Sequence, residues 1–491
     1  MGIRHKFRVD GVRYVYDTVS SQVLEIPEDL YNLLPTWERQ CRRGRQKQSG
    51  STTCSEPFDE FWSACREGLL TNDLPSLLNP VALPLFVKAL KENASTISLC
   101  LTEKCNLCCE YCPYTENIGS RRTHSIRSMS LETAKKALLL YQRSLADNET
   151  PLVSFYGGEP LLEFSLLRRV VEFAQVTFTP HPVSFNMTTN GTIINQEIAR
   201  FLIENDFQLL VSLDGPNTLH DRYRKSANGR GSYELVIKTI STINDLSPSY
   251  FDKRVSVNIV LAPPLHVDYL NEYLMSNIPV SIDKCSISLV DANDTNFFQS
   301  HPYTQKDARS LKALRRRAEQ GFISGIWNDI PLALLLFKKP LLRIAFRNRT
   351  NISHKSFIPT GQCFPGGHKL YVDTRGFLHM CERIDESCPI GDVDTGVDVH
   401  SVQETLGLFF DDALKTCINC YALRLCGLCI ESTIKEGRFN KTRKALACAE
   451  ARRQLHNDLV SYARIVEQNS KAFYQYTPLT SQKSFVEVLD L

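Results

Sequence analysis

The chain has 491 residues, of which 43% are hydrophobic and 23% charged, and its formal net charge at pH 7 is only +3. The length is enough for two or three domains of ordinary globular composition, and the near-neutral charge excludes a protein-wide nucleic-acid-binding surface. The stretch from Gly2 to Lys6 is too polar to open a signal peptide, and no apolar run approaches the length of a membrane span. We therefore expect a cytoplasmic protein whose partners include neither nucleic acid nor a membrane.

The first 80 residues are expected to form a small module that begins with strands. Apolar residues alternate on both sides of Asp10-Gly11, which predicts a β-hairpin, and Ser21–Ile26 has the pattern of a further short strand. Proline and acids from Pro27 onward predict the start of a helix, and Phe58–Leu70 has a helical apolar pattern. The module is either a plain cap on the next domain or a recognition unit that pairs an edge strand with a leader peptide.

Repeated strand–helix units occupy residues 90–300. The pattern predicts six apolar strands: Ile97–Leu101, Leu152–Tyr156, Val183–Thr188, Leu209–Leu213, Val255–Leu261 and Cys285–Val290. It predicts helices between them at Leu131–Ser144, Ser165–Val176 and Tyr233–Leu246. This alternation indicates an α/β fold with a parallel sheet, and six units indicate a partial (β/α)6 barrel. In such barrels the chemistry lies at the C-terminal ends of the strands.

A cysteine-rich loop follows the first of these strands. Cys105, Cys109 and Cys112 are spaced C-x3-C-x2-C, so three thiolates can surround one iron–sulfur cluster and leave one of its four irons open. The alternatives are a zinc site or buried free cysteines. Cys108 is a fourth ligand by count, but it directly precedes Cys109, and we treat it as a non-ligand. Seventeen cysteines in a chain without a secretion signal favour metal ligation over disulfides.

Three further loops at strand ends carry residues suited to a ligand with an amino acid and a ribose. Two glycines leave room for ligand atoms and expose N–H groups, and the next acid offers a carboxylate to an ammonium. A serine and an aspartate can bind ribose hydroxyls, and an arginine can bind a carboxylate in a bidentate fashion. The two glycines are Gly157 and Gly158, and the acid after them is Glu159. The serine is Ser212, the aspartate is Asp214 and the arginine is Arg224. They predict a site for S-adenosylmethionine.

These motifs together resemble the core of the radical S-adenosylmethionine (radical SAM) enzymes. The matching segments are the cysteine loop, Gly-Gly-Glu-Pro at 157–160, Thr-Asn-Gly-Thr at 189–192, Ser-Leu-Asp-Gly-Pro at 212–216 and His-Asp-Arg-Tyr-Arg at 220–224. The resemblance implies a TIM-like partial barrel and a [4Fe–4S] cluster that binds S-adenosylmethionine. It implies cofactor contacts from Tyr111, Gly158, Ser212 and Arg224, with Glu159 beside the amino group. Gly157, Asn190 and Asp214 belong to the same predicted site.

Residues 301–358 are predicted to be a basic helical connector, which includes Arg315-Arg316-Arg317. Its charge is either an ordinary solvated helix face or a guide for an acidic peptide. Neither interpretation follows from the sequence alone.

The last segment, residues 359–491, contains a second cysteine array. Its pattern is Cys363-x12-Gly376-x4-Cys381, then Cys417-x2-Cys420-x5-Cys426-x2-Cys429, then Cys448. It resembles the SPASM domain of peptide-modifying radical SAM enzymes, except that two residues, instead of three, separate Cys426 from Cys429. A zinc ribbon on Cys417, Cys420, Cys426 and Cys429 is the alternative.

The SPASM resemblance implies two auxiliary [4Fe–4S] clusters. Cys363, Cys381 and Cys429 would hold the first, and Cys417, Cys420, Cys426 and Cys448 would hold the second. Cys388 is a possible fourth ligand of the first cluster; without it, one iron would be open to a substrate thiolate. Glu382 stands where sulfatase-maturing relatives carry a catalytic aspartate, so it is either a base or an ordinary surface glutamate.

We expect a radical SAM enzyme that removes a hydrogen atom from a ribosomally made, cysteine-rich precursor peptide and forms Cys thioether crosslinks. The start of the chain and Gly361–Gly367 look like the thioether-forming maturases of ranthipeptide and sactipeptide type. The expected partners are the precursor peptide, bound through its leader, and an external electron donor. Carbon–carbon crosslinking, epimerisation and formylglycine formation are alternatives on the same scaffold. A non-catalytic iron–sulfur electron carrier is the alternative from another class.

Overall fold

The computed structural model describes residues 3–43, 69–70, 95–114, 123–145, 150–291, 295–327, 329–349 and 369–476. Cys363, the segment Gly361–Gly367 and all but the last two residues of the predicted helix Phe58–Leu70 lie outside these ranges. Within the described part of the chain, no helix is long and apolar enough to span a membrane.

A three-stranded antiparallel sheet begins the chain. Its strands are β1 (Arg4–Val9), β2 (Val12–Asp17) and β3 (Gln22–Glu25), and helix α1 (Glu28–Arg43) follows them. Asp10 and Gly11 have φ angles of 48° and 95° in the turn between β1 and β2. Two positive φ angles make the tight turn that Asp-Gly favours, because glycine meets no Cβ clash in that region. The predicted hairpin and the start of the helix are confirmed.

The central sheet contains six parallel strands: β4 (Ile97–Thr102), β5 (Leu152–Gly157), β6 (Ser184–Thr189), β7 (Gln208–Ser212), β8 (Val255–Leu261) and β9 (Cys285–Leu289). The helices between them are α2 (Leu131–Ser144), α3 (Phe164–Thr177), α4 (Gln196–Glu204), α5 (Asn217–Tyr223), α6 (Tyr233–Leu246), α7 (Pro248–Arg254) and α8 (Val267–Ser276). Every predicted strand agrees with its observed counterpart to within one residue at each end. The α/β fold with a parallel sheet is confirmed.

Aromatic packing fills one layer between this sheet and its helices. Phe155, Phe185 and Phe207 are buried, with ring centroids 5.3–6.2 Å apart. All six residues of β4 are buried as well, including Ser98 and Thr102, so both faces of this strand are covered although apolar and smaller polar residues alternate along it. The strand that leads to the cysteine loop is thus the best buried part of the sheet.

Two short strands from the C-terminal region extend the central sheet. β10 (Leu370–Val372) runs parallel to β4, with Leu370 opposite Ile97, and β11 (Leu378–His379) pairs antiparallel with β10. Sequence patterns do not identify strands of two or three residues. The sheet order is therefore β11-β10-β4-β5-β6-β7-β8-β9, and the chain that follows β11 enters the second cysteine array.

The remaining elements form the C-terminal part of the molecule. They are α9 (Phe297–Ser300), α10 (Gln305–Ser324), α11 (Pro331–Ala345), β12 (Gly391–Asp392), β13 (Gly396–Val397), α12 (Val399–Thr416), β14 (Ile434–Lys435), β15 (Arg438–Phe439) and α13 (Lys441–Gln468). The described residues of the basic connector form the two helices α10 and α11, as expected for a helical connector. Arg315 of α10 is 2.6 Å from Asp458 of α13 and only 22% exposed, so this charge joins two helices of the chain.

The N-terminal sheet packs against α10, α11 and α13. Phe7 and Tyr14 share an apolar cluster with Phe322, Leu341 and Leu459. The first strands of the chain and its last described helix are thus parts of one packed body.

Candidate active site

The cysteine loop begins where β4 ends and is held to the segment after α5. The Cys108 N–H donates to the Lys225 carbonyl at 2.6 Å, and the Glu110 N–H donates to the Tyr223 carbonyl at 3.2 Å. Cys108 is exposed, whereas Cys109 is buried. The observed exposure agrees with our treatment of Cys108 as a non-ligand.

Of the three predicted ligands, Cys109 is buried, whereas Cys105 and Cys112 are partly exposed. Burial raises the pKa of the Cys105 and Cys109 thiols to about 12. The ionisation of Cys109 is further opposed by negative charge on Cys112 and Cys105, which shows that the three sulfurs are electrostatic neighbours. Such thiols keep their protons unless a metal replaces them.

Hydrogen-bond donors face two of these sulfurs. The Leu107 N–H lies 3.5 Å from Cys105 Sγ, and Asn190 Nδ2 lies 3.9 Å from it. His124 Nε2 is 3.9 Å from Cys112 Sγ. In the described ranges, no three or more His, Cys, Asp or Glu side chains have the arrangement of a bound metal ion. The donor set nevertheless fits a four-iron cluster, since three cysteines lie on one short loop and two of their sulfurs face ring, amide or backbone nitrogens.

The glycines after β5 allow two loops to approach backbone to backbone. A Cβ at Gly157 would lie 2.2 Å from the Thr102 carbonyl oxygen, and one at Gly158 would lie 2.1 Å from the Lys104 carbonyl oxygen. The Gly158 N–H donates to Thr102 at 2.9 Å, and the Glu159 N–H donates to Lys104 at 2.8 Å. Our expectation that this pair exposes N–H groups to a ligand is wrong for Gly158, whose N–H is bonded to the chain. The glycines position the cysteine loop.

Glu159 connects the loops after β5 and β6. Its fully buried carboxylate accepts hydrogen bonds from Thr189 Oγ1 at 2.9 Å, the Asn190 N–H at 2.7 Å and the Leu161 N–H at 3.1 Å. Burial raises the pKa of this carboxyl to about 7, despite the three donors that favour the charged form. The structure therefore shows Glu159 engaged with its own chain, and a contact with a ligand ammonium remains a prediction.

Tyr111, Asp214 and Arg224 form a buried cluster between the cysteine loop, the end of β7 and the end of α5. Asp214 Oδ2 accepts hydrogen bonds from Arg224 Nε at 2.8 Å and from the Tyr111 hydroxyl, and Oδ1 accepts the Val260 N–H at 2.9 Å. Ser212, the last residue of β7, is also largely buried. Asp214 and Arg224 thus pair with each other here, so their expected ribose and carboxylate contacts remain predictions.

His220 is a residue of this cluster that our sequence analysis missed. Its Nδ1 accepts the Asp214 N–H at 3.2 Å, and its Nε2 lies 2.9 Å from Ser232 Oγ, which donates to the Arg224 carbonyl at 2.8 Å. Burial lowers the pKa of this imidazole to about 4, so it is neutral near pH 7. The signal was present in His-Asp-Arg-Tyr-Arg, from which only the arginine was taken as functional.

A cavity of about 590 Å³ opens beside the cysteine loop. Its polar wall includes Glu110, His124 and His301, none of which the sequence singled out. His301 Nε2 is 3.1 Å from Glu110 Oε2, and its Nδ1 is 3.4 Å from the Tyr223 hydroxyl. The end of α9 therefore covers the loop and gives the cavity both charge and ring surfaces.

The C-terminal cysteines fall into two electrostatic groups. Burial raises the pKa of Cys426, and negative charge on Cys420, Cys448 and Cys417 raises it further, to about 11. These four are the set that the resemblance implies for the second auxiliary cluster. Cys429 acts on the thiol of Cys381, whose pKa burial raises to about 12. Cys381 and Cys429 belong to the set that the resemblance implies for the first auxiliary cluster.

Cys388 and Glu382 have other partners. The Cys388 thiol donates a hydrogen bond to the Gly437 carbonyl, a role that requires the protonated form, and burial raises its pKa to about 12. Burial alone would raise the pKa of the Glu382 carboxyl, but Lys369, 3.2 Å away, holds it below the ordinary value. The Tyr114 hydroxyl donates to the Glu382 carbonyl at 3.3 Å and connects the two cysteine regions. An ion-paired carboxylate is a weak base, so a catalytic role for Glu382 remains a prediction.

Comparison with known proteins places a family match on the central sheet. Residues 99–275 match the model of the Radical SAM superfamily. The chain is 32% identical to a cysteine-type anaerobic sulfatase-maturating enzyme of Clostridium novyi over 151 aligned residues. This alignment covers 30% of this chain and 40% of that protein. It is 24% identical to the radical SAM cyclopropyl synthase TigE of Paramaledivibacter caminithermalis over 208 aligned residues. That alignment covers 39% of this chain and 42% of TigE. The chain thus matches less than half the length of these relatives.

Solved structures share the fold. Native anSMEcpe with bound AdoMet superposes with a TM-score of 0.54 at 18% identity, over 78% of this chain and 98% of that chain. The same protein with bound AdoMet and the Cp18Cys peptide gives a TM-score of 0.54 at 19% identity, over the same shares. At such identities the likeness shows the architecture alone.

Proposed function

We propose, from the premise that residues 99–275 form a radical SAM domain, that this chain is an enzyme that modifies a ribosomally made, cysteine-rich precursor peptide. The observation that carries the proposal is the meeting of three elements at one site. The cysteine loop after β4, Asp214 after β7 and Arg224 after α5 are joined through the Tyr111 hydroxyl and one buried ion pair. An electron carrier has no need of such a built ligand site beside its cluster.

A [4Fe–4S] cluster with S-adenosylmethionine supplies a 5′-deoxyadenosyl radical that removes a hydrogen atom from a substrate. The residues of this chain would hold and shield that chemistry. Cys105, Cys109 and Cys112 would bind the cluster, and Asn190 and His124 would donate toward its sulfurs. Burial of the loop excludes water, and fixed donors keep the reacting groups at near-attack distance.

The two groups of C-terminal cysteines support auxiliary clusters of the SPASM type. Cys417, Cys420, Cys426 and Cys448 act on one another's ionisation, which matches the second predicted set. A zinc ribbon that used Cys429 would leave Cys448 without a role in this group. For the first set, Cys381 and Cys429 are neighbours.

A peptide substrate is supported by the relatives and by the N-terminal sheet. The similar proteins mature sulfatases or, in one solved structure, hold a peptide together with AdoMet. In this chain β3 is an edge of the three-stranded sheet, and an edge strand can pair with an extended leader peptide. A leader peptide would enter there, and an external electron donor would reduce the clusters.

Thioether formation is the specific reaction we propose. Formylglycine formation is the second candidate, favoured by the similarity to sulfatase-maturating enzymes and by Glu382 directly after Cys381. The two reactions differ in their substrates: one consumes a cysteine thiol in a new carbon–sulfur bond, and the other converts a cysteine or serine into an aldehyde.

The test is mass spectrometry of a cysteine-rich precursor peptide after anaerobic incubation with the reconstituted enzyme, reductant and S-adenosylmethionine. We expect the peptide to lose two hydrogens per site, with one cysteine no longer alkylated. Loss of two hydrogens with every thiol still free would indicate a carbon–carbon crosslink instead of a thioether. A reactive aldehyde would favour formylglycine.

The control is Arg224→Ala, which removes the guanidinium partner of Asp214. We expect it to abolish 5′-deoxyadenosine formation while iron remains bound at the three cysteines. If this variant still cleaves S-adenosylmethionine at the wild-type rate, the proposed cofactor site is wrong.

A further inference from the structure

Lys444 is buried beside the four-cysteine group, and the predicted cluster pattern does not call for it. Its side chain is only 4% exposed. Nζ donates to Asp412 Oδ2 at 2.8 Å and to Thr416 Oγ1 at 2.7 Å, and it lies 3.9 Å from Cys417 Sγ. The ammonium group therefore contacts one carboxylate, one hydroxyl and one proposed cluster ligand.

This position is unfavourable for a lysine on two counts. Removing an ammonium from water costs several kcal/mol, even after the surroundings relax. Lys444 also lies in the N-terminal part of α13, which begins at Lys441, where the helix dipole is positive. The compensating partners come from the last turn of α12, whose dipole is negative. An ordinary apolar residue would fill the space between these helices without either cost.

Two of the proposed cluster ligands lie next to Lys444 in the fold. Its Nζ is 3.9 Å from Cys417 Sγ. Cys448 is four residues beyond Lys444 on α13, so the two side chains share a helix face. Cys417 directly follows α12. Lys444 thus lies between the two helices that present these sulfurs.

We propose that Lys444 is a positioning residue for the iron–sulfur cluster assigned to Cys417, Cys420, Cys426 and Cys448, a proposal that rests on the proposed function. Four thiolates around a four-iron cluster form an anionic assembly, and one-electron reduction makes it more negative. A fixed cation in a medium of low dielectric constant stabilises the reduced form more than the oxidised form. Lys444 therefore raises the reduction potential of this cluster, and Asp412 moderates the effect.

The competing explanation is structural. The Lys444–Asp412 ion pair joins α13 to α12, and removing either partner would loosen the cysteine loop. That explanation predicts the same effect from both single variants. The electrostatic explanation predicts opposite effects, because one variant removes a positive charge and the other removes a negative charge.

The experiment uses the full-length chain in a background that isolates one cluster. Cys105→Ala, Cys109→Ala, Cys112→Ala and Cys381→Ala remove the radical SAM and first auxiliary sites. Iron and zinc are then measured after anaerobic reconstitution, and the midpoint potential is measured by redox titration followed by electron paramagnetic resonance. The background protein should hold about four iron atoms, the content of one cubane.

In this background, we expect Lys444→Gln to lower the equilibrium constant for reduction at least tenfold, which is ~59 mV toward negative potential for one electron. Asp412→Asn should move the potential in the positive direction. Lys444→Arg keeps the charge and should stay close to the background value. The matched control is Lys441→Gln, since that lysine is 81% exposed and 3.9 Å from Asp412; solvent screening should keep its shift far smaller.

Each result separates the two proposals. Zinc instead of iron, or no metal, in the background protein overturns the second auxiliary cluster and hence the proposed function. Bound iron with an unchanged potential in Lys444→Gln, or shifts of the same sign in Lys444→Gln and Asp412→Asn, overturns the role of Lys444 alone. If Lys444→Gln does not retain iron, Asp412→Asn decides the matter, because it keeps the cation and must shift the potential positively.

Discussion

The side chains predicted to bind S-adenosylmethionine are tied first to one another. Glu159 accepts three hydrogen bonds from its own chain, and Asp214 pairs with Arg224. The motifs identify these residues correctly as neighbours, but their partners depend on loops that meet only in the folded sheet. Buried polar groups of this kind are costly when they lose a partner. Their removal should therefore affect stability as well as ligand binding.

Glu159 should make the stability of the protein depend on pH. Its pKa is raised by burial to about 7, above the ordinary value of 4.5 for a glutamate, so ionisation is harder in the folded state. The unfolding free energy should be fully preserved below pH 4.5 and fall as the pH rises toward 7. A rise of this size corresponds to about 3 kcal/mol.

The check is anaerobic urea unfolding of wild type and Glu159→Gln at pH 5 and pH 7.5. The amide of the glutamine faces N–H donors that both carboxyl oxygens accept in the wild type. The free energy of unfolding of the variant should therefore be lower at pH 5 by about 1–3 kcal/mol. This deficit should shrink or reverse at pH 7.5. A deficit that is equal at both pH values would show that Glu159 is already ionised throughout this range.

Individual loops depend on glycine for reasons that only the structure distinguishes. Gly158 brings the end of β5 against the backbone of the cysteine loop, whereas Gly407 lies in α12 with nothing within 4 Å of an added Cβ. The same substitution should therefore have opposite effects at the two positions. The sequence assigns Gly158 to the predicted cofactor site and gives Gly407 no role, but it reveals neither the backbone contact at the first nor the open space at the second.

We expect Gly158→Ala to displace the cysteine loop, because its methyl group would meet the Lys104 carbonyl at 2.1 Å. The variant should lose iron from the radical SAM site and unfold at lower temperature. Gly407→Ala is the matched control and should stabilise the protein by about 0.5–1 kcal/mol, because alanine favours the helix.

The measurements are thermal unfolding and iron content after reconstitution. Wild-type iron binding in Gly158→Ala would contradict the backbone contact that we assign to this glycine. A destabilised Gly407→Ala would contradict the open space described at that position.

At the scale of the whole molecule, the N-terminal sheet is attached to the C-terminal helices by apolar packing and by one ion-pair network. Arg464 of α13 lies 2.8 Å from Asp10 in the first hairpin and 3.1 Å from Glu319 of α10. The Glu319 side chain is 2% exposed, whereas that of Asp10 is 59% exposed. The two acids therefore depend on Arg464 to different degrees.

We expect Arg464→Ala to destabilise the protein by about 1–3 kcal/mol, because it leaves the buried Glu319 with only the half-exposed Arg316, 3.3 Å away, as a counter-charge. Asp10→Asn is the matched control. It keeps a residue that tolerates the positive φ angle, removes an exposed pair and should cost less than about 1 kcal/mol. Urea unfolding at pH 7 compares the two. Equal losses would show that Glu319 has another means of charge compensation.

The extent of correct prediction differs between the two cysteine regions. In the first, the strand bounds and the three cysteines follow from patterns within a few residues; the structure agrees with the strand bounds, and ligation by the three cysteines remains a prediction. In the second, the resemblance implies Cys417, Cys420, Cys426 and Cys448 as a set, which remains a prediction; Cys388, the possible further ligand, donates a hydrogen bond to Gly437 in the structure. Lys444 escaped attention because a lone lysine carries no spacing signal, whereas His220 lies in a motif from which only the arginine was taken as functional.

The sequence by itself determined the α/β core, since apolar periodicity and turn residues act over short distances and encode β4 to β9 almost residue by residue. It also predicts iron–sulfur ligation by the cysteine loops, because ligand type and spacing are local properties. Only the tertiary structure decided that β10 pairs with β4, that Tyr114 reaches Glu382, and that Lys444 lies beside Cys417. These contacts join residues far apart in the chain, and their partners are set by packing and burial of the whole molecule.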